Sequence, residues 1–118
     1  MKTSVIALFV LVLLTGFSLK VQAQTDSPIL VLPPENTTNV SRTPSFSWGS
    51  VSGATDYIIA VIKKVDGSAV FSTTTTSASY TLSGLTLDAN TSYYWSVQGK
   101  SSSRSGPWSN KRQFTTGN

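Results

Sequence analysis

The sequence contains no cysteine and no histidine, and only five of its 118 residues are acidic. Without these side chains there is no imidazole base for a Ser-His-Asp triad, no thiol nucleophile and no disulfide. Zinc and other transition metals lose their preferred ligands for the same reason. Neither the carboxylate pair of a glycosidase nor a calcium loop is indicated, because the acidic residues are scattered over different predicted loops: Asp26, Glu35, Asp56, Asp66 and Asp88. We therefore expect no enzymatic activity, no cofactor and no metal site.

The one long hydrophobic run lies at the N-terminus. Lys2 precedes ten consecutive apolar residues at 5–14, and a more polar segment then ends in Val21-Gln22-Ala23. Small or β-branched residues at the third and first positions before the cut are typical of signal peptidase sites. An uncleaved membrane anchor is the alternative, but spanning a bilayer takes about 20 apolar residues. We predict a signal peptide over residues 1–23, cleaved after Ala23, and a secreted, periplasmic or cell-surface protein.

Removal of this leader leaves 95 residues, 24–118, which is enough for one domain. Because Lys2 and Lys20 leave with it, seven basic residues remain against five acidic ones, a net charge of +2. At most two basic residues are adjacent in sequence, so we expect no nucleic-acid partner. No further hydrophobic stretch follows, so we expect no membrane span after cleavage.

Short β-type runs alternate with turn clusters about every 8–12 residues, and no segment has a helical period. Alternate side chains of a strand share a face, so Phe46 and Trp48 point the same way in the second predicted strand. Tyr93, Trp95 and Val97 do the same in the sixth. The pattern predicts an all-β fold, a seven-stranded antiparallel β-sandwich. The predicted strands are 29–32, 45–48, 57–62, 70–76, 80–82, 93–98 and 108–116, with polar loops at 35–43 and 100–107.

Five motifs in this order resemble the strands of fibronectin type III domains, over roughly residues 28–116. The resemblance is strongest to bacterial extracellular members of that family. It implies an immunoglobulin-like sandwich with a tyrosine corner, in which the hydroxyl of Tyr93 bonds a backbone group of the preceding connection. The motifs are Pro44-x-Phe46-x-Trp48, Gly53-Ala54-x-x-Tyr57, Tyr80-x-Leu82-x-Gly84-Leu85, Leu87-Asp88-Ala89-Asn90-Thr91-Ser92-Tyr93-x-Trp95-x-Val97, and Gly106-Pro107-Trp108-Ser109 followed by Phe114-Thr115-Thr116.

Two positions depart from the family pattern. Ala89 stands where the family often has proline, and Arg104-Ser105-Gly106 stands where some members carry Arg-Gly-Asp. Integrin recognition of that type is therefore not expected. The predicted structural core is unaffected and consists of Phe46, Trp48, Tyr57, Leu82, Leu87, Tyr93, Trp95 and Val97.

Three residues are candidates for binding: Tyr94, Arg104 and Trp108. In this fold the loops 49–56, 75–79 and 100–106 cluster at one end, and Arg104 lies in the third. That loop is alternatively a solvated turn. Tyr94 is expected to face outward, where it either contacts a ligand or packs under a lysine or arginine stem. Trp108 is a further exposed aromatic, or the partner of a cation–π stack with Arg104 or Lys100.

The leading hypothesis is a secreted, non-catalytic adhesion or binding module for an unknown extracellular protein. A carbohydrate-binding module that stacks a glycan on Tyr94 or Trp108 is the alternative from another class. A structural spacer, or a fragment of a larger extracellular protein, is the third. Asn36, Asn39 and Asn90 each begin a glycosylation sequon, and we interpret them as turn residues if the chain is bacterial.

Overall fold

A computed structural model describes residues 26–118. The predicted signal peptide and its cleavage point lie outside the described residues. Within the described range the chain forms nine strands and no helix, and so it holds no helix long and apolar enough to cross a membrane. The strands are Leu30–Leu32 (β1), Thr37–Val40 (β2), Ser45–Trp48 (β3), Asp56–Lys63 (β4), Ala69–Thr75 (β5), Ser79–Thr81 (β6), Ser92–Lys100 (β7), Ser105–Trp108 (β8) and Arg112–Thr116 (β9).

The strands form two sheets packed as a sandwich, which confirms the predicted all-β fold. The small sheet has the order β1-β3-β6, and the large one has the order β2-β9-β7-β4-β5, with β8 pairing β7. All pairings are antiparallel except that of β2 with β9. The first part of the chain therefore changes sheets between β1 and β2, which ties the two layers together at one side.

The strand count differs from the prediction at two places. The predicted loop 35–43 contains β2, which pairs with β9 at the edge of the large sheet. Its mostly polar sequence is typical of a loop, so the strand was not predicted. The predicted last strand is split into β8 and β9, and β8 begins inside the predicted flexible loop. The break falls at Ser109, whose hydroxyl accepts the N–H of Val97 at 3.0 Å while its own N–H donates to Val97 O at 2.8 Å. The Ser109 hydroxyl thus takes the place of a backbone acceptor in the pairing with β7, and the register of that pairing shifts between β8 and β9.

The core lies between the two sheets. All eight residues assigned to it from the sequence are buried, with at most 4% of any of them exposed. Phe46 lies at its centre, with its ring 5.0 Å from that of Trp95 and 5.9 Å from that of Phe114. Tilted and edge-on ring pairs of this kind add attraction beyond burial alone. The indole N–H groups of Trp48 and Trp95 have no acceptor among the described residues, so these rings contribute through packing.

The three sequon asparagines share one backbone conformation. Asn36, Asn39 and Asn90 have φ values of 62°, 58° and 51°. Among residues with a side chain, asparagine is one of the few that tolerate this left-handed region well. Asn36 and Asn90 lie in turns, as interpreted from the sequence, whereas Asn39 lies within β2, where the pairing with β9 shifts register.

Candidate binding surface

The three loops predicted to cluster do meet at one end of the sandwich. The N–H of Thr55, at the end of the first loop, donates to the carbonyl of Lys100 at 2.7 Å, at the start of the third. The N–H of Trp48 donates to the carbonyl of Ala78 in the second loop at 3.0 Å. Because these contacts are backbone hydrogen bonds between adjacent elements, the loop end is positioned by the sheets themselves.

The loop between β3 and β4 is also held from inside the core. The hydroxyl of Tyr57 accepts the backbone N–H of Val51 at 2.9 Å in a buried hydrogen bond. The Tyr57 ring packs edge-on against Trp48, with centroids 5.6 Å apart. Sequence reasoning placed Tyr57 in the core but gave its hydroxyl no role. The sequence offered no signal for this bond, because the fold sets the loop conformation that brings the Val51 N–H to the Tyr57 hydroxyl.

An open depression of about 390 Å³ adjoins this loop. It is lined by Asp26, Ser27, Ile29 and residues 49–52. Apart from Asp26, these side chains are small or apolar, so the depression offers few directional contacts to a small ligand. The depression is therefore poorly suited to recognise a small ligand.

The outer face of the large sheet carries an exposed tryptophan close to the loop end. Gln98 faces outward from β7, because it lies between the buried residues Val97 and Gly99. Trp108 lies directly opposite Gln98 on β8, and 45% of it is exposed. Residues directly opposite in an antiparallel pair share a face, so the indole also points outward.

This position continues as a row across the sheet, which we call the Trp108 row. Gln98 lies opposite Ile58 on β4, and Ile58 lies opposite Thr74 on β5. Four adjacent strands at about 4.8 Å spacing make the row about 14 Å wide. It consists, in order, of Thr74, Ile58, Gln98 and Trp108, so the half-buried Ile58 lies between two polar side chains and the aromatic Trp108 is at the end of the row.

Charged groups of both signs border the Trp108 row on the side of the loops. Asp56 lies opposite Lys100, which in turn lies opposite Ser105 at the start of β8. Arg104 is exposed in the short connection just before β8. The amide of Gln98 donates to Gly106 O at 2.9 Å, which fixes it beside the tryptophan. The surface is therefore an aromatic patch with a charged rim.

Tyr94 does not belong to this surface. It shares the outer face but lies four residues before Gln98 on β7, about 13 Å away along the strand at about 3.3 Å per residue. The ammonium of Lys111 lies 4.3 Å from the centroid of its ring, a cation–π contact. The structure thus places Trp108 in the row and Arg104 in the connection at its loop side, four residues before Trp108, whereas Tyr94 lies outside this surface. For Tyr94, the lysine-packing alternative left open by the sequence is the arrangement observed.

Three members of the row, Thr74, Ile58 and Gln98, were missed by sequence reasoning. The outward positions of Ile58 and Gln98 follow from strand alternation, because each lies between buried neighbours in β4 and β7. What alternation could not supply is the register between strands, which alone places Ile58, Gln98 and Trp108 side by side. The described residues also contain no group of three or more acidic, histidine or cysteine side chains arranged to hold a metal.

No protein-family model matches the sequence, and no curated protein matches it. Solved structures do match. The α-L-rhamnosidase from Dictyoglumus thermophilum matches with a TM-score of 0.65 and 21% identity, over 81% of this chain and only 13% of that chain. The fn3 domain of human collagen alpha-1(XX) has a TM-score of 0.62 and 18% identity, over 79% of this chain and 86% of that one.

A Fn3-like protein from Clostridium thermocellum matches with a TM-score of 0.57 and 19% identity, over 80% of this chain and 96% of that one. At identities of this size the likeness concerns the fold alone. The strand order of the two sheets, the aromatic core and the matching solved structures all indicate the same fold. Residues 26–118 have the fibronectin type III fold.

Proposed function

We propose that this chain is an exported, non-catalytic binding module that recognises a protein partner through the Trp108 row and the charged groups beside it. The observation that carries this proposal is the exposure of Trp108, 45% of which is open on a sheet face at the loop end. Tryptophan and arginine are the residues most enriched where binding energy concentrates in protein interfaces. An aromatic side chain next to polar and charged groups is also common in such interfaces.

A fibronectin type III fold serves as a binding module or as a spacer. A spacer needs only a stable core. Trp108 lies outside the core, so a purely structural role does not explain a tryptophan at this position. An exposed indole on the outer sheet face instead favours recognition. Export is supported by the predicted signal peptide over residues 1–23.

The experiment compares capture of cell-surface and secreted proteins of the source organism by the wild-type chain, by Trp108→Ala and by Val65→Ala. Val65 is the matched control, because it is an exposed apolar side chain, 84% open, in the β4–β5 turn and away from the loop end. We expect the partner's affinity to fall about tenfold or more in Trp108→Ala, as for an interface hot spot, and to stay unchanged in Val65→Ala. Equal capture by Trp108→Ala and wild type would contradict the proposal.

A glycan is the second candidate ligand, and the flat exposed face of the same indole favours it. Aromatic rings offer an apolar face on which a sugar ring stacks. Tyr94 is not available for a two-ring platform, because Lys111 lies over it. Binding to a glycan array that disappears in Trp108→Ala, with unchanged circular dichroism, would assign the site to carbohydrate instead of protein.

A further inference from the structure

The strands at the sheet edges differ in how well they are protected. An edge strand presents unpaired backbone N–H and C=O groups, and proteins protect such edges by short length, proline, charge or bulges. In the described part of the chain β1, β2, β6 and β8 have three or four residues each. Pro28 and Pro33 flank β1, Pro107 lies within β8, and β2 has a register shift near Asn39.

The edge strand β5 lacks most of these protections, although its pairing with β4 has a register shift near its start, between Ala69 and Phe71. It is seven residues long, Ala69–Thr75, and contains no proline, no glycine and no charged residue. The order of the large sheet ends at β5, so only its β4 side is paired within the described chain. Threonine and other β-branched residues favour the extended conformation. The strand is therefore extended, uncharged and open along one side.

The segment of the chain that contains β5 and β6 is also free of charge. No acidic or basic residue occurs between Gly67 and Leu87, a stretch that contains both β5 and β6. These two strands lie at the same side, because the rings of Phe71 and Tyr80 are 6.0 Å apart. Both rings are half-buried at the rim between the sheets. This side thus combines an open backbone edge with partly exposed aromatic surface.

We propose that β5 pairs with β5 of a second copy of this chain, antiparallel about a two-fold axis at Ser72, so that the two large sheets become one continuous sheet. Ser72 is the midpoint of β5 and lies beyond the register shift near Val70, so the axis falls in a regularly paired part of the strand. It places Ser72 opposite Ser72 on the outer face, and Phe71 opposite Thr73 on the inner face. Opposed hydroxyl and aromatic–β-branched pairs are stabilising combinations across an antiparallel pair.

The charge distribution favours a second copy as the occupant. The chain carries a net positive charge, so two copies repel each other unless their facing sides are uncharged. In the proposed register the β4–β5 turn of one copy, with Lys64 and Asp66, approaches residues 76–78 of the other. That segment is Thr-Ser-Ala, so no like charges meet. This self-association goes beyond the proposed function and does not use Trp108.

A single introduced cysteine tests the register, because the native chain has none. In Ser72→Cys the two thiols lie directly opposite in the proposed dimer, with Cβ atoms about 5 Å apart, near the separation that a disulfide bridges. We expect mild oxidation to convert Ser72→Cys to a covalent dimer. Thr38→Cys, an exposed position on β2, is the matched control and should stay monomeric. Equal cross-linking of both variants, or none in Ser72→Cys, would overturn the proposal.

Sedimentation of the cysteine-free chain over a range of concentrations gives an independent readout. We expect a wild-type dimer, and we expect Ser72→Lys to weaken dimerisation about tenfold or more, since it sets like charges opposite each other. Thr38→Lys adds the same charge on the opposite side and should leave the dimer intact, as should Trp108→Ala. Ser72 is exposed, so unchanged thermal unfolding of Ser72→Lys will show that its fold is retained. A monomeric wild type, or protection of β5 amides only by a peptide from another protein, would contradict pairing with a second copy.

Discussion

The hydroxyl of Tyr93 accepts a hydrogen bond from the backbone N–H of Asp88 at 2.9 Å. This is the tyrosine corner that the resemblance implied. It ties the connection between β6 and β7 to the start of β7, where Tyr93 lies. The same connection is tied a second time, because the Asp88 carboxylate lies 2.8 Å from the ammonium of Lys63 at the end of β4. One residue outside any strand is thus held by a buried ring through its backbone and by a neighbouring strand through its side chain.

Removing the Tyr93 hydroxyl should measurably destabilise the domain. In Tyr93→Phe the ring stays packed on Phe114, but the N–H of Asp88 loses its acceptor. We expect the free energy of unfolding to fall by about 1–3 kcal/mol. Tyr94→Phe makes the same chemical change on the outer face and should alter it by less than about 0.5 kcal/mol. Urea unfolding of the three proteins checks this, and equal midpoints would show that the corner bond adds nothing.

The ion pair should make stability depend on pH in the acid range. The hydrogen bond and the charge of Lys63 lower the pKa of Asp88 below its ordinary 3.8. The unfolded chain therefore takes up this proton at a higher pH than the folded one does. The stabilisation is present above pH 3.8 and is lost as the pH falls through the lowered value.

Asp88→Asn should consequently be less stable than the wild type at neutral pH, with the difference shrinking as the pH falls below 3.8. Lys63→Gln should give the same flattened profile, and the double variant should add little further, since both remove one interaction. Thermal unfolding between pH 2 and 7, about the range that brackets the carboxyl group, is the measurement. Acid profiles that coincide for wild type and Asp88→Asn would disagree with this assignment.

Truncating Trp48 should threaten the fold itself. Its side chain is 4% exposed and packs against Tyr57. Trp48→Ala should cost about 3–5 kcal/mol, against a total stability of about 5–15 kcal/mol for a typical domain. With no disulfide to constrain the chain, we expect a large drop in melting temperature or an unfolded product. A melting temperature within a few degrees of the wild type would mean that the indole is not central to the core.

The Tyr57 hydroxyl should affect the loop end more than the rest of the molecule. In Tyr57→Phe the buried N–H of Val51 loses its acceptor, so the loop between β3 and β4 opens more readily. We expect faster amide hydrogen exchange in residues 50–55 and little change in β7. Tyr93→Phe is the control, since it should loosen the opposite connection instead. Uniformly faster exchange in Tyr57→Phe would indicate global destabilisation only.

The leader prediction is tested by the mass and the first residue of the exported protein. We expect the mature chain to begin at Gln24, because Val21 and Ala23 occupy the positions that signal peptidase reads. Replacing Ala23 by a bulky charged residue, Ala23→Arg, should block this cut, whereas Gln22→Ala should not. A mature protein that still begins at Met1 would disprove cleavage.

The alternation of apolar and polar residues is strong in strands that have one buried face and one solvent-exposed face. In β7 the alternate residues Tyr93, Trp95 and Val97 are buried, as their spacing indicated, because a strand turns successive side chains to opposite faces. The same rule failed for β2. This edge strand is held by backbone hydrogen bonds to β9. Because backbone pairing does not depend on side chains, it leaves no hydrophobic pattern in the sequence.

The sequence by itself indicated the fold class and the core, since these depend on local alternation along the chain, and the resemblance to fibronectin type III domains implied the tyrosine corner. The tertiary structure alone decided which outward residues are neighbours. Trp108 lies beside Gln98 and Ile58, and Tyr94 lies under Lys111, because of the register between strands distant in sequence. A shift of one residue in any of these pairings would turn the same side chains to the other face, and no single strand records that choice.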